Sequence, residues 1–282
     1  MKFMQRSAGV AAATFCLLMT VFGSASFAAA SSLNDPTALA LDSAGNLWVV
    51  NQGSNSIEKF NPNYVLQSGA TITQGLDTPT GIGFDPSGNL WVVNSGTSSV
   101  IEYTNGVQNT AATFSVVSPG SIAIDGLANI WVQSGSSSID VYAKNFPYTA
   151  QPSLLKTYTP GTSAIYGVAI AGGSVAFGSL NQASLTAIEQ ELTTGPVSIT
   201  INTKTSLTLA GAVSGAVFMG DFDGTVNVFN PVLNKTTQFL KLGLVPPGMV
   251  VDSKRGRVYM STGAGNTILV YSTQGKLLHT IQ

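Results

Sequence analysis

The chain of 282 residues is long enough for one large domain or two ordinary ones, yet only 9% of it is charged, against about 25% in average soluble domains. Twelve Lys and Arg set against 13 Asp and Glu leave a net charge of −1, which excludes the cationic surface that nucleic acid or an anionic membrane would call for. A single cysteine, Cys16, excludes an intramolecular disulfide, so the fold must rest on its core.

Taken in chain order, residues 1–30 read as an export signal. Lys2 and Arg6 form a positive start, AGVAAATFCLLMTVFG an apolar middle, and ASFAAA a small-residue run suited to cleavage after Ala28 or Ala30. The alternative is an uncleaved anchor, because Ser7 to Ala30 carries no charge. The strongly apolar part is short against the roughly 20 residues of a spanning helix, which favours cleavage. Cys16 lies in the apolar middle, outside any lipoprotein context. Cleavage removes Lys2 and Arg6 and leaves a mature chain of net charge −3 with no cysteine. Such a chain is expected to be secreted, periplasmic or at the cell surface, with no membrane insertion after cleavage and no nucleic-acid partner.

From residue 31 onward the chain repeats itself. Trp48, Trp91 and Trp131 anchor three clear copies, spaced 43 and 40 residues apart. Each copy opens with a period-two run, TALALD, TGIGFD or GSIAID, in which large residues (Leu39 and Leu41, Ile82 and Phe84, Ile122 and Ile124) alternate with Ala, Gly or Ser. That alternation predicts a strand with one large and one small face. An Asp-containing turn leads to a second strand, NLWVVN, NLWVVN or NIWVQS. A polar turn leads to a third, SIEKFN, SVIEYT or SIDVYA, and a looser fourth follows in ATITQ, TAATFSVV and SLLKTYT.

The later chain fits the same frame. YGVAIAGGSVAFGSLNQASLTAIE from Tyr166 and PVSITIN from Pro196 make a fourth copy. SLTLAGAVSGAVFMGDFDGTVNVFNP from Ser206 makes a fifth, and the segment from Pro247 to the C-terminus a sixth. SLTAIEQELTTG is the nearest approach to a helix, and the frame makes it mostly strand. Residues 31–282 divided among six copies give 42 residues each, matching the observed spacing. The expected fold is all-β: one six-bladed β-propeller over residues 31–282, with four antiparallel strands per blade. Small residues would let the innermost strands crowd a central axis while the large ones pack against the next blade.

The stretch PTGIGFDPSGNLWVVNSGTSSVIEY resembles NHL-type repeats, and the related repeats of bacterial surface-layer propellers and streptogramin lyases. The resemblance is strong over Pro36 to Lys144 and weaker beyond. It implies a propeller but not an activity, since such repeats serve unrelated functions. The gluconolactonase-like propellers, similar in repeat style, hold a divalent metal with Glu, Asn and Asp on one face. Asn51, Asn94, Asp35, Asp77 and Asp221 are of the right type, but no Glu precedes an inner strand here. Streptogramin and amidating lyases use histidine near the central site. The sole histidine, His279, falls in KLLHTIQ, expected as an outermost strand far from the axis.

Other chemistry is poorly supplied. Asp42, Asp85, Asp125 and Asp252 recur once per copy and open the turns DSAGN, DPSGN, DGLAN and DSKRG. That is the pattern of a carboxylate bonding its own turn, not of a calcium loop, which gathers its ligands within about 12 residues. The three tryptophans recur at one strand position and are expected between blades. No Ser-His-Asp or Cys-His set has credible members, and the glycines sit in hairpin turns, not before a helix. No catalytic residue, metal site or cofactor is assigned.

The turns after the second strands differ most between copies: NQGSN, NSGTS, SGSS, SLNQA, DFDG and STGAGN. They are rich in amides and hydroxyls, which suit neutral polar ligands. A shallow site is therefore expected on that face, with Asn51, Asn94, Asp221 and Asp223 near it. Three functions stand open. The favoured one is a secreted, non-catalytic propeller binding a protein, peptide or glycan partner. The alternatives are a metal-dependent lactonase-like hydrolase and a cell-surface scaffold.

Overall fold

The computed structural model describes residues 33–143, 150–159, 164–172, 174–179, 184–189, 197–200 and 206–282. The proposed signal segment, residues 1–30, lies outside them. The described chain is all strand and turn. The first sheet holds β1 (Pro36–Leu41), β2 (Leu47–Asn51) and β3 (Ser56–Phe60). The second holds β4 (Pro79–Phe84), β5 (Leu90–Asn94), β6 (Ser99–Thr104) and β7 (Val107–Ser115). The third holds β8 (Pro119–Ile124), β9 (Ile130–Ser134), β10 (Ser138–Ala143) and β11 (Ser153–Tyr158). The fourth holds β12 (Ile165–Ala171), β13 (Ser174–Ser179), β14 (Ser184–Glu189) and β15 (Val197–Thr200). The fifth holds β16 (Ser206–Gly211), β17 (Val217–Asp221), β18 (Thr225–Asn230) and β19 (Lys235–Lys241). The sixth holds β20 (Met249–Asp252), β21 (Arg257–Ser261), β22 (Ile268–Ser272) and β23 (Leu277–Ile281). Every strand pairs antiparallel with its neighbour in sequence. The first half of SLTAIEQELTTG forms β14, and the rest of that segment lies outside the described residues.

The expectation of six four-stranded blades is corrected on one point. The described residues form five four-stranded blades, and the sheet β1–β2–β3 stops at three strands. The segment ATITQ, expected as its fourth strand, touches β3 only through the isolated bridge Ile57–Ile72, closed by N–H···O bonds of 2.8 and 3.0 Å. The local chemistry explains this. The Asn61 side chain accepts from the N–H groups of Asn63 and Val65 and turns the chain straight back. A short helical turn then spans Ser68–Ala70. Gly75, at φ 74°, ends the extended run after a few residues. One apolar residue, Ile72, is buried there between exposed Thr71 and Thr73, too little to hold a strand in register.

The innermost strands β1, β4, β8, β12, β16 and β20 touch in that order, and β20 and β21 return to β1, closing a ring. Among the described residues no sheet shares a strand between the two ends of the chain. Closure rests on contacts between the sixth and first sheets. The Asp35 N–H donates to Asn266 Oδ1 at 2.8 Å, Arg255 reaches the Ala44 carbonyl at 3.2 Å, and Arg257 reaches the Pro62 carbonyl at 3.2 Å. His279, on the edge strand β23, stacks on Tyr64 with ring centroids 4.3 Å apart.

The core is divided among the gaps between sheets. Trp48 packs with Ile82, Leu90 and Phe84 of the second sheet, Trp91 with Ile122, Ile124 and Ile130 of the third, and Trp131 with Val168, Ala169 and Leu209 of the fourth and fifth. Such a side chain buries about 150–250 Å²; at about 25 cal/mol per Å², each contributes roughly 4–6 kcal/mol as an upper bound. Small residues do allow close approach near the axis. A Cβ on Gly211 would lie 1.9 Å from the Ile170 carbonyl oxygen, and one on Gly248 would lie 2.7 Å from that of Thr37.

Candidate functional site

The ring leaves a central cavity of about 260 Å³. Its wall comes from the first residues of the innermost strands, and the local backbone explains which side chains reach it. Asp35, Thr78 and Ser118, each just before a proline, have φ of 51°, 50° and 41°. Five innermost strands then carry a register shift at the same place: Pro36/Ala38, Pro79/Gly81, Pro119/Ile122, Ile165/Gly167 and Ser206/Thr208. A bulge leaves a residue unpaired and re-aims its side chain. The bulged Thr37, Thr80 and Tyr166 all line the cavity, with Ser121, Gln133 and Thr208 beside them.

Every lining side chain is neutral. Several tie one sheet to the next. Thr80 Oγ1 donates to the Gly120 carbonyl at 2.9 Å, Gln133 Nε2 to the Ile165 carbonyl at 2.6 Å, and Thr208 Oγ1 to the Pro246 carbonyl at 2.5 Å. Innermost strands pair on one edge only, so side-chain donors from the neighbouring sheet meet carbonyls that lack a ladder partner. Gln133 Oε1 receives only a long bond from Ser121, at 3.4 Å. Tyr166 stands apart from the rest, being aromatic and 41% exposed. The arrangement can donate and accept hydrogen bonds but carries no charge with which to pair an ion.

The four residues expected near a ligand do not line this cavity. Asn51 and Asn94 end β2 and β5 and are 0% exposed. Asn51 Oδ1 accepts the Asn34 N–H at 3.2 Å; Asn94 Oδ1 accepts the Asp77 N–H at 2.6 Å, and its amide donates to the Gly75 carbonyl and Thr97 Oγ1. Asp221 is buried and accepts the Asn227 amide at 2.7 Å. Half-buried Asp223 accepts the Thr225 N–H at 3.1 Å. The four sit at or beside the turns that follow the second strands, in three different sheets, and bond to the local backbone or side chains there; none lines the cavity. Among the described residues no three His, Cys, Asp or Glu side chains converge to hold a metal, and no helix is long and apolar enough to cross a membrane.

The recurrent aspartates are turn braces, as expected, and do more than the sequence indicated. In Asp42, Asp85 and Asp125, Oδ1 accepts the N–H groups two and four residues on. Oδ2 accepts the Asn side chain four residues on and the Trp indole N–H six residues on. Burial pushes the Asp42 carboxyl up, but the bonds from Asn46 and Trp48 and the nearby Lys59 ammonium outweigh it and hold it below the ordinary range. Asp252 differs, taking Arg255 as its partner at 3.0 Å. Glu58 is buried with Oε2 unpartnered, and burial pushes its carboxyl up against a smaller opposite effect of the Asn51 amide.

Sequence reasoning missed Tyr166, Gln133, Thr80 and Thr208. A signal was present for Tyr166: in IYGVAI it stands where PTALAL and PTGIGF place threonine.

No family model and no curated protein sequence matches the chain. Several solved structures share its fold. Virginiamycin B lyase from Staphylococcus aureus is similar with a TM-score of 0.60 and 13% identity, over 80% of this chain and 76% of that one. A streptogramin B lyase is similar with a TM-score of 0.66 and 11% identity, over 88% and 83%. A chain of a nidogen–laminin complex is similar with a TM-score of 0.67 and 14% identity, over 81% and 90%. At these identities the likeness is one of fold, and the fold is an NHL-like β-propeller.

Proposed function

We propose that this chain is an exported, non-catalytic β-propeller that binds a protein, peptide or neutral polar ligand on the face where the innermost strands begin. The observation that carries this reading is the central cavity, walled by neutral hydroxyl and amide groups together with apolar side chains such as Ile82, Ile122 and Val168. His279 is stacked on Tyr64 at the outer seam, which gives it a packing role away from that cavity. Two fold relatives bear on the reading: one is a chain of a nidogen–laminin complex, and another is an inactive virginiamycin B lyase variant with quinupristin. In this reading the turns beside Asn51, Asn94, Asp221 and Asp223 form the rim, and residues 31–282 act as one domain. The three-stranded sheet serves as a sixth blade, supported by the packing of β1 between β4 and β20.

Two measurements test this. Residues 31–282 are screened against neutral glycan and peptide arrays, and the footprint of any hit is mapped by amide hydrogen exchange. Protection confined to the opposite face would overturn the assignment of the binding face. For export, intact mass of the secreted protein is expected to give a chain starting near Ala29 or Ser31. A membrane-retained chain that keeps Met1 would refute cleavage.

A further inference from the structure

We propose that the central cavity binds one neutral sugar ring, stacked on Tyr166 and hydrogen-bonded to Gln133, Thr80 and Ser121. This rests on the proposed binding face and names its ligand class. The first ground is Tyr166 itself. It is 41% exposed, and it occupies the bulge at which the first and second sheets carry Thr37 and Thr80. A tyrosine face at the wall of a cavity offers an apolar surface with a polar tip. That matches the carbon–hydrogen face of a pyranose.

The second ground is the polar complement. Gln133 gives its amide N–H groups to the Ile165 and Gly135 carbonyls, so its Oε1, reached only at 3.4 Å by Ser121, is an open acceptor. Thr80 donates its proton to the Gly120 carbonyl, which leaves its oxygen lone pairs to accept. Acceptors grouped around an aromatic face suit a ligand with several O–H donors in fixed directions. A peptide amide offers fewer donors, and a charged ligand would be desolvated with no counter-charge. The third ground is size. The cavity volume is about 260 Å³. It lies just under the roughly 300–1,000 Å³ of pockets that enclose whole drug-sized ligands, which is the scale of a single ring.

The test uses residues 31–282 and saturation-transfer NMR with D-glucose, D-galactose, D-mannose and N-acetyl-D-glucosamine. Sorbitol serves as the ring-less control and N-acetylalanine amide as the peptide control. At least one sugar is expected to bind saturably, with a dissociation constant of about 1–10 mM, and sorbitol at least fivefold more weakly. Tyr166→Ala is expected to weaken binding about tenfold and Tyr166→Phe less than threefold, because the ring face and not the hydroxyl carries the contact. Circular dichroism and melting temperature confirm that each variant is folded. Absence of binding by all four sugars, sorbitol equal to the sugars, or unchanged affinity in Tyr166→Ala would overturn the proposal. Binding of the peptide amide alone, lost in Tyr166→Ala, would leave the binding face standing and remove the sugar.

Discussion

The Asp–Asn–Trp turn makes a quantitative prediction at Asp125. Its carboxylate is buried and accepts four bonds: Leu127 N–H at 2.9 Å, Asn129 N–H at 2.8 Å, Asn129 Nδ2 at 2.9 Å and Trp131 Nε1 at 3.0 Å. Asp125→Asn keeps the shape but replaces one acceptor oxygen with a donor. Whichever way the new amide turns, two of the four donors face an NH₂ group. If it faces the indole, Trp131 Nε1 is stranded in a site closed to water. A bond to a charged acceptor contributes about 1.5–3 kcal/mol, and water recovers part of the loss at half-buried Asn129. The expected cost is about 3 kcal/mol, or about 6–12 °C in melting temperature for a chain of this size. Urea unfolding at constant slope measures it. In a Trp131→Phe background the indole donor is absent, and the cost should fall by about 1–2 kcal/mol. A cost below about 0.5 kcal/mol for Asp125→Asn would refute the claim that this carboxylate holds the turn and the tryptophan together.

Four further outcomes follow from the same structure. Burial raises the Glu58 carboxyl in the folded state, so its contribution to stability falls as pH rises from the ordinary value of 4.5 through the raised one. Glu58→Gln should accordingly stabilise at pH 7, by about 1 kcal/mol, with the gain shrinking below pH 4.5 in melting curves; no gain at pH 7 would count against it. Asp42 has the opposite sign: its carboxyl is held low, so its contribution is present above its ordinary value of 3.8 and lost on acidification below it, which an Asp42→Asn comparison across pH 2–7 would read. Gly248→Ala forces a Cβ to 2.7 Å from the Thr37 carbonyl oxygen and 2.9 Å from Ala38 Cα. Both are backbone atoms, so the seam between the last and first sheets should weaken by about 1–3 kcal/mol, seen as a lower urea midpoint. His279→Ala removes the stack on Tyr64 and should cost about 0.5–1.5 kcal/mol, with any ligand binding at the cavity unchanged.

Local chemistry was legible because its partners lie close in sequence. Asp42, Asn46 and Trp48 sit within seven residues, so one turn determines their geometry, and three copies of it announce a repeated antiparallel unit. The alternation of Leu39 and Leu41 with Ala38 and Ala40 likewise named a strand with two unlike faces, and the period of the copies named the propeller. The fourth strand of the first sheet was not legible. ATITQ has strand composition, but pairing depends on whether the chain arriving from Asn61 can lie along β3, and within ATITQ only Ile72 forms a bridge to it. Asn51, Asn94, Asp221 and Asp223 stood out by residue type, and residue type does not separate an amide that lines a cavity from one that braces the backbone. Asn51 and Asn94 became buried braces because the residues ahead of β1 and β4 fold back over them and supply their partners. Tyr166 and Thr80, on innermost strands, and Gln133, on β9, line one cavity only because different sheets converge on one axis. Their neighbours across the cavity lie tens of residues away along the chain, and no local pattern records that encounter.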